Sequence, residues 1–344
     1  MKQMIQPLWR VVLGVTLLLG ASALTGCTTD RAVISQANEF HGSLEPTVIE
    51  DPVLHGYLQR IGDRIILAAQ DVHTQEPDGV DRSWMFSEGM QFHLVNSDTI
   101  NAFTTGGNHM YVYTGLFNLA ETEDELAAVM AHEFAHVYGR HVQKGMDRRY
   151  GVFGAAGLGA LAGYLIGGDD HGLEYAGYGA AAGLVSGQLV GMGFTRKDEA
   201  EADALGFEFY VRAGWNPDRF ADFFQRMIDN GYDQGGSFSE FLSDHPSLAS
   251  RVEVSRDRAS RIAPGVRQNL RRPNVASAQE FNQLQARATQ IGGAMPQDRT
   301  LSVSSDLLQA LPRSCLTPAI TPDQKAAAQR LEERAEEKRK ADAK

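Results

Sequence analysis

This sequence of 344 residues has few cysteines and no excess of positive charge. Two cysteines cannot build a disulfide-dense scaffold or a zinc module made of cysteines, so both classes are excluded. Lysine and arginine number 32 against 43 aspartates and glutamates, which gives a formal net charge of −11. Because no basic field is present to displace phosphate counterions, we expect no nucleic-acid partner.

Internal repeats are also lacking. No repeat is found at any solenoid period, which argues against a repeat architecture. The chain is 43% hydrophobic and 22% charged, a composition typical of globular proteins and unlike that of disordered chains. Its length allows one large domain or two modest ones, ample for a buried core.

The first 26 residues have the pattern of a signal peptide. Basic residues flank the start of an apolar stretch at 11–20, which is too short for a comfortable membrane span. A Leu-Thr-Gly-Cys motif then ends at Cys27 and resembles the bacterial lipobox, in which the cysteine is lipidated and becomes the mature N-terminus. The alternative is an ordinary signal peptide that precedes a cysteine. Because Thr28 rather than aspartate follows, the resemblance implies a lipid anchor in the outer membrane, facing the periplasm.

The rest of the sequence divides into a tether, a long domain and an extension. Residues 27–49 are expected to form a polar tether after the lipidated cysteine. Asp51-Pro52 has the cap and first-turn proline of a helix whose apolar face continues to about Ala69, and further helical and strand patterns follow to residue 262. Residues 263–344 have weak periodicity and a charged tail. We therefore expect an α+β class fold with a mainly α-helical domain over 50–262.

A small antiparallel β-hairpin or sheet is expected within that domain. Asn101, Ala102 and Phe103 form one short arm, and residues 110–113 form the other. A glycine-rich turn separates the two arms, which is typical of a hairpin. The hairpin directly precedes the helix that carries the chemistry.

Residues 151–194 form an insert dominated by glycine and alanine. The turn-like segment 167–172 divides it into two apolar arms, which allows either a membrane hairpin or a close-packed helical hairpin. The arm at 151–166 has only 16 residues, short of the roughly 20 that a spanning helix needs. This length favours the packed hairpin, in contact with lipid or substrate.

The string His132-Glu133-x-x-His136 has the spacing of a catalytic metal site. On a helix, residues four apart share a face, so both imidazoles can bind one cation. Zn²⁺ suits two histidines and a carboxylate, with the fourth position left for a water that Glu133 can reach as general base. A capping-box pattern at Thr122 predicts a helix that continues to about His141, whose side chain should point away from the ligand pair. The alternative is a helix with two incidental histidines.

A third ligand is expected from an acidic segment further along the chain. Glu199 and Asp203 are four apart and therefore share a helix face. That arrangement allows Glu199 to bind the metal while Asp203 holds a ligand histidine. Glu201 is the rival ligand, but it projects away from this face. The remaining alternative is an acidic, solvated helix surface.

These motifs resemble the HtpX-like and CAAX-prenyl-protease-like family of gluzincin metallopeptidases. The motifs that carry the resemblance are His132-Glu133-x-x-His136, Glu199-x-x-x-Asp203 and the Asn101-Ala102-Phe103 hairpin. It covers roughly residues 50–262, and the lipobox makes the chain most similar to the outer-membrane lipoprotein members. The resemblance implies a gluzincin domain with one Zn²⁺ per chain and endoproteolysis of misfolded or damaged envelope proteins.

Further roles come with the resemblance. His245 opens a His-Pro…Arg pattern that ends at Arg251, and it would either latch the metal or stabilise the tetrahedral intermediate. Arg251 would lie near the active site and assist the oxyanion. The strand that begins at Asn101 would be the edge to which the substrate backbone adds as a further strand. The alternative for His245 is a plain helix start, and His93 and His109 are interpreted as structural.

The sequence thus favours a zinc endopeptidase of the bacterial envelope that acts on unfolded or misfolded polypeptides. Its partners would be those substrates, the membrane through Cys27, and other envelope proteases or assembly factors. A second hypothesis is a non-catalytic assembly factor or chaperone with a structural or latched zinc site. A third is a zinc hydrolase acting on a non-peptide envelope substrate. The presence of Glu133 argues against the second hypothesis, because a structural site has no use for a base there.

Overall fold

The computed structural model describes residues 29–87, 89–145, 194–232, 247–296 and 299–311, and part of 323–340. The strands are β1 (Gln91–Val95), β2 (Ala102–Thr104) and β3 (His109–Tyr113). The helices of the described ranges are α1 (Asp30–Leu44), α2 (Pro52–Gln75), α3 (Ser83–Ser87), α4 (Thr114–Leu119), α5 (Glu123–Tyr138), α6 (Arg196–Arg212), α7 (Asp222–Asp229), α8 (Leu248–Ser260), α9 (Pro264–Leu270), α10 (Ala278–Ala294) and α11 (Arg299–Ala310). Three features expected from the sequence lie outside the described residues: Cys27 with the signal segment, nearly all of the 151–194 insert, and His245.

The sheet is mixed and has the strand order β1-β3-β2. The expected hairpin is confirmed: β2 pairs antiparallel with β3, with Phe103 opposite Tyr111. β1 adds to the other side of β3 in parallel register, with Leu94 opposite Val112. The fold is therefore α+β and mainly helical, as expected, and β2 is left at an edge of the sheet.

The two faces of the sheet belong to different cores. Because successive strand side chains alternate, Met110 and Val112 point to one face and Tyr111 and Tyr113 to the other. The first face joins the main core with α2 and α5. The second face packs in a smaller cluster with α1 and α11, where the Tyr113 hydroxyl donates a hydrogen bond of 2.9 Å to the Leu308 carbonyl.

Residues 30–44 form helix α1, where the sequence predicted a polar tether. The Thr29 side chain accepts a hydrogen bond from the Ala32 N–H and caps the helix. Val33, Ala37 and Leu44 are buried along one face. This narrow apolar stripe is embedded among polar residues, which is why the segment resembled a tether.

Two helices depart from their predicted ends. The Asp51 cap is confirmed, since its carboxylate accepts from the first backbone N–H groups of α2, but α2 continues to Gln75 rather than ending near Ala69. Helix α5 ends at Tyr138, not at about His141. Arg140 has a φ of 56°, a left-handed conformation that turns the chain sharply after α5.

Helices beyond residue 262 pack on the same core as the domain before it. Phe281 and Ala288 of α10 are buried in the main hydrophobic cluster. At the start of α5, the Glu123 carboxylate accepts hydrogen bonds from the backbone N–H groups of Val275 and Ala276, at 2.6 and 2.7 Å. The C-terminal region thus fixes the beginning of the helix that carries His132. None of the helices in the described ranges has both the length and the apolar character that a bilayer crossing requires.

Candidate metal centre

Helices α5 and α6 pack against each other and carry the candidate ligands. Thr195 and Asp198 form a complete capping box at the start of α6, which fixes its first turn and with it Glu199. Two turns further along α6, Gly206 lies directly against α5. A Cβ there would be 2.9 Å from the Cα of His132, so only glycine allows the two helices this close.

The structure brings His132, His136 and Glu199 together in a buried cluster. The Nε2 atoms of the two histidines are 3.1 Å apart. The Glu199 carboxylate lies 3.5 Å from His132 Nε2 through Oε2 and 3.8 Å from His136 Nε2 through Oε1. Tetrahedral ligands at zinc bonding distances are separated by about 3.3 Å, so the three groups are spaced as ligands of one ion.

Two further observations test whether a cation fits these residues. Among the residues that the structure describes, no hydrogen-bond donor reaches the buried Glu199 Oε1. Burial and the Arg251 charge oppose protonation of His132, but hydrogen bonds to Asp203 and Glu199 outweigh them and raise its pKa to about 9. The pocket therefore stabilises positive charge between its carboxylates, which is what a divalent cation supplies.

Asp203 and Arg251 hold the His132 ring on the side of Nδ1, away from the cluster. Asp203 Oδ1 lies 2.9 Å from His132 Nδ1, which leaves Nε2 facing the cluster. Arg251 donates to both Asp203 oxygens, from Nε to Oδ2 at 2.9 Å and from Nη2 to Oδ1 at 2.7 Å. Its guanidinium also stacks 4.0 Å over the Phe224 ring. Burial opposes ionisation of Asp203, but the Arg251 charge and the His132 hydrogen bond hold the pKa of that carboxyl below its usual range.

His136 is supported differently, and by a residue for which the sequence prediction was wrong. His141 does not point away: its Nδ1 lies 2.9 Å from His136 Nδ1. The turn at Arg140 after the end of α5 brings it back toward the helix. His141 Nε2 in turn lies 3.5 Å from Glu201, which is therefore a second carboxylate behind the site.

Burial and the neighbouring charges keep His136 in the form that a metal needs. Desolvation, followed by the charges of His132 and His141, lowers the pKa of His136 well below its usual value. The Phe194 ring stacks on the imidazole with the centroids 3.8 Å apart. His136 is thus a neutral imidazole at neutral pH, with its Nε2 directed at the cluster.

The other candidate residues lie around this cluster. Glu133 follows His132 on α5 and is fully buried. β2 packs beside α5, and its residues Ala102 and Phe103 belong to the last strand in the order β1-β3-β2. Phe103 turns toward the second core, where its ring stacks 4.7 Å from that of Tyr111, and Asn101 is buried just before the strand.

His141 is the site residue that sequence reasoning missed, and with it the contact of His141 with Glu201, which was considered only as a rival ligand. A regular helix was extended past its end, which put His141 on the wrong side. The signal that could have found it is Gly139, since a glycine after the last apolar turn marks a helix end.

Known proteins match this chain over the same region. The profile of peptidase family M48 matches residues 57–259. The beta-barrel assembly-enhancing protease of Escherichia coli (strain K12) is 30% identical over 241 residues, which are 70% of this chain and 44% of that protein. Metalloprotease LoiP of the same strain is 30% identical over 50% of this chain and 63% of its own.

A eukaryotic protein is also similar. Mitochondrial metalloendopeptidase OMA1 of Saccharomyces cerevisiae is 27% identical over 51% of this chain and 48% of its own. The chain spans less than half the length of the beta-barrel assembly-enhancing protease, so the likeness concerns the domain with the metal cluster. The family expected from the sequence motifs is confirmed: this chain belongs to peptidase family M48.

Proposed function

We propose that this protein is a zinc-dependent endopeptidase of the bacterial cell envelope. The observation that carries the proposal is the convergence of His132, His136 and Glu199 at ligand spacing, with Glu133 next to the first histidine. These three side chains would hold one Zn²⁺ at this site. When bound, it supplies a Lewis acid that brings the pKa of water to about 7 and polarises a carbonyl group.

The remaining chemistry belongs to residues of the chain. Glu133 acts as general base toward the attacking water and afterwards protonates the leaving amine nitrogen. Asp203 fixes the ring of His132 through Nδ1, and Arg251 fixes Asp203, so the ligand cannot rotate out of place. Stabilisation of the oxyanion by His245 or Arg251 stays a prediction from the family resemblance.

The substrate would bind as an added strand. β2 is an edge strand beside α5, and an extended peptide paired with its backbone would run past the metal cluster. Such recognition reads backbone rather than side chains, which suits the removal of many different unfolded polypeptides. The strand from Asn101 to Phe103 is therefore proposed as the substrate edge.

Location and partners are proposed from the sequence and the relatives together. The motif ending at Cys27 supports a lipid anchor in the outer membrane, facing the periplasm. One relative is named for enhancing β-barrel assembly, which supports misfolded outer-membrane proteins as substrates and assembly factors as partners.

Cys27→Ala is expected to move the protein from the outer-membrane fraction to a soluble or inner-membrane fraction. Unchanged outer-membrane fractionation would contradict the anchor.

The test of the activity is Glu133→Gln, with zinc content and cleavage of an unfolded polypeptide measured on the same preparation. We expect zinc to be retained and cleavage to fall at least about 100-fold, because a general base contributes that much or more. Glu253→Gln is the matched control, since it neutralises an exposed carboxylate on α8. Cleavage at the wild-type rate by Glu133→Gln would refute the base, and full complementation of a deletion strain by it would favour the non-catalytic chaperone.

A further inference from the structure

Three histidines meet on the face of the sheet opposite the catalytic helix. His93 and His109 lie on β1 and β3, and their side chains point to the second core with Tyr111. His41 comes from α1 and covers them. Each offers one ring nitrogen within 4.8 Å of the others, the same grouping that His132, His136 and Glu199 show. We call His41, His93 and His109 the outer histidine cluster.

Two imidazoles of the outer histidine cluster already face each other. His93 Nε2 and His109 Nδ1 are 2.9 Å apart, close to the 3.1 Å between the ligand nitrogens of the catalytic pair. The His41 ring stacks on His109 with the centroids 4.4 Å apart and the planes within 4°. A ligand nitrogen must point at its metal within the ring plane, so His41 has to turn from this stack to join the pair.

The neighbours of the outer histidine cluster resemble the supports of metal ligands. His109 Nε2 lies 2.8 Å from Asn38 Oδ1, an atom that only accepts, so Nε2 carries the hydrogen and Nδ1 keeps its lone pair. His41 Nδ1 lies 3.0 Å from the Tyr111 hydroxyl, which leaves Nε2 for coordination. Metal-binding histidines are usually anchored in this way through the nitrogen that does not bind.

The three rings are also in the neutral form that metal coordination requires. Burial, with the charge of His41 as the next cause, lowers the pKa of His93 to about 3 and that of His109 to about 4. Burial also lowers the pKa of His41, although Glu45 opposes that shift. The three rings are therefore neutral at pH 7 and keep lone pairs available for coordination.

We propose that His41, His93 and His109 bind a second transition-metal ion, of the class that prefers imidazole nitrogen, such as Zn²⁺, Cu²⁺ or Ni²⁺. Among the described residues, the ligand group of this second site contains no carboxylate, whereas the catalytic cluster contains Glu199. Its effect is structural: the ion cross-links α1 to β1 and β3. The ion thereby holds α1 on the sheet, in which β2 is the last strand.

The test counts zinc in untagged full-length protein that has been stripped with a chelator and reloaded in zinc-buffered solution. Wild type is expected to hold two Zn²⁺ per chain by elemental analysis. His41→Asn and His109→Asn should each hold one, and His132→Ala should hold one through the outer histidine cluster. His55→Asn, which changes an exposed histidine on α2, should still hold two.

A second measurement follows α1 directly. In the His132→Ala protein, zinc should slow amide hydrogen exchange in α1, and adding His41→Asn should abolish that protection. His41 is only half buried, so this variant answers the question even if His109→Asn does not fold. The proposal is overturned if the His132→Ala protein holds no zinc, if His41→Asn retains two, or if zinc leaves exchange in α1 unchanged.

Discussion

Two aspartate–arginine pairs in this molecule have the same bidentate geometry and very different surroundings. Behind the metal cluster, Arg251 donates to both oxygens of Asp203, with the two side chains only 3% and 7% exposed. Between α2 and α10, Arg287 donates to both oxygens of Asp51 at 2.9 and 2.6 Å, but the Arg287 side chain is 46% exposed. From their geometry alone, the two pairs would be expected to contribute equally to stability.

Burial is what separates the two pairs. Desolvating both charges of Asp203 and Arg251 is costly, so each strongly needs the other, and breaking such a pair leaves an uncompensated buried charge. Asp51 is as little exposed as Asp203, at 7%, but its partner Arg287 is 46% exposed and water can replace the guanidinium, so loss of this pair costs less. The buried pair of Asp203 and Arg251 lies against His132, which indicates that it serves the proposed metal site rather than overall stability. The pair of Asp51 and Arg287 links the C-terminal region to α2.

The largest effect is expected from Asp203→Asn. The change leaves the Arg251 charge buried without a counter-charge, which should lower the free energy of unfolding by about 3–5 kcal/mol. It also weakens the hold on His132 Nδ1, so zinc affinity should fall about 10–100-fold. Urea unfolding and competition with a chromophoric zinc chelator measure the two effects separately.

A double variant separates stability from positioning. Asp203→Leu with Arg251→Met replaces the buried pair by apolar side chains, which should recover most of the stability but not the zinc affinity.

Glu201→Gln makes the matching change on the other side of the site, where the carboxylate is 38% exposed and acts through His141. Its loss of zinc affinity should be smaller than that of Asp203→Asn. Equal losses would show that burial does not distinguish the two supports.

The sequence predicted those parts of the site that depend on spacing within one element. His132 with His136, and Glu199 with Asp203, follow from positions four apart on a helix. The hairpin at β2 and β3 and the Asp51 cap follow from turn and cap residues. Each of these rests on local geometry, which short-range sequence patterns record.

The parts that were missed depend on the path of the chain between elements. His141 contacts His136 because Arg140 adopts a left-handed conformation just after α5, and spacing on a regular helix cannot show that turn. His93 and His109 come together through the parallel pairing of β1 with β3, and they meet His41 because α1 packs over them. No motif records three single histidines from separate segments.

The smallest effect is expected from Asp51→Asn, at the pair whose arginine is exposed. Asparagine still caps α2, so only the charge is lost, and the urea midpoint at neutral pH should fall by much less than for Asp203→Asn. The hydrogen bond from Arg287, opposed by burial, lowers the pKa of Asp51 from 3.8 to about 2. A folded pKa below the unfolded value gives stability that is present above pH 3.8 and is lost as the pH falls from there through about 2. The difference in urea midpoint between wild type and Asp51→Asn should therefore narrow over this acidic range, whereas a constant difference would mean that the carboxylate charge does not hold α10 against α2.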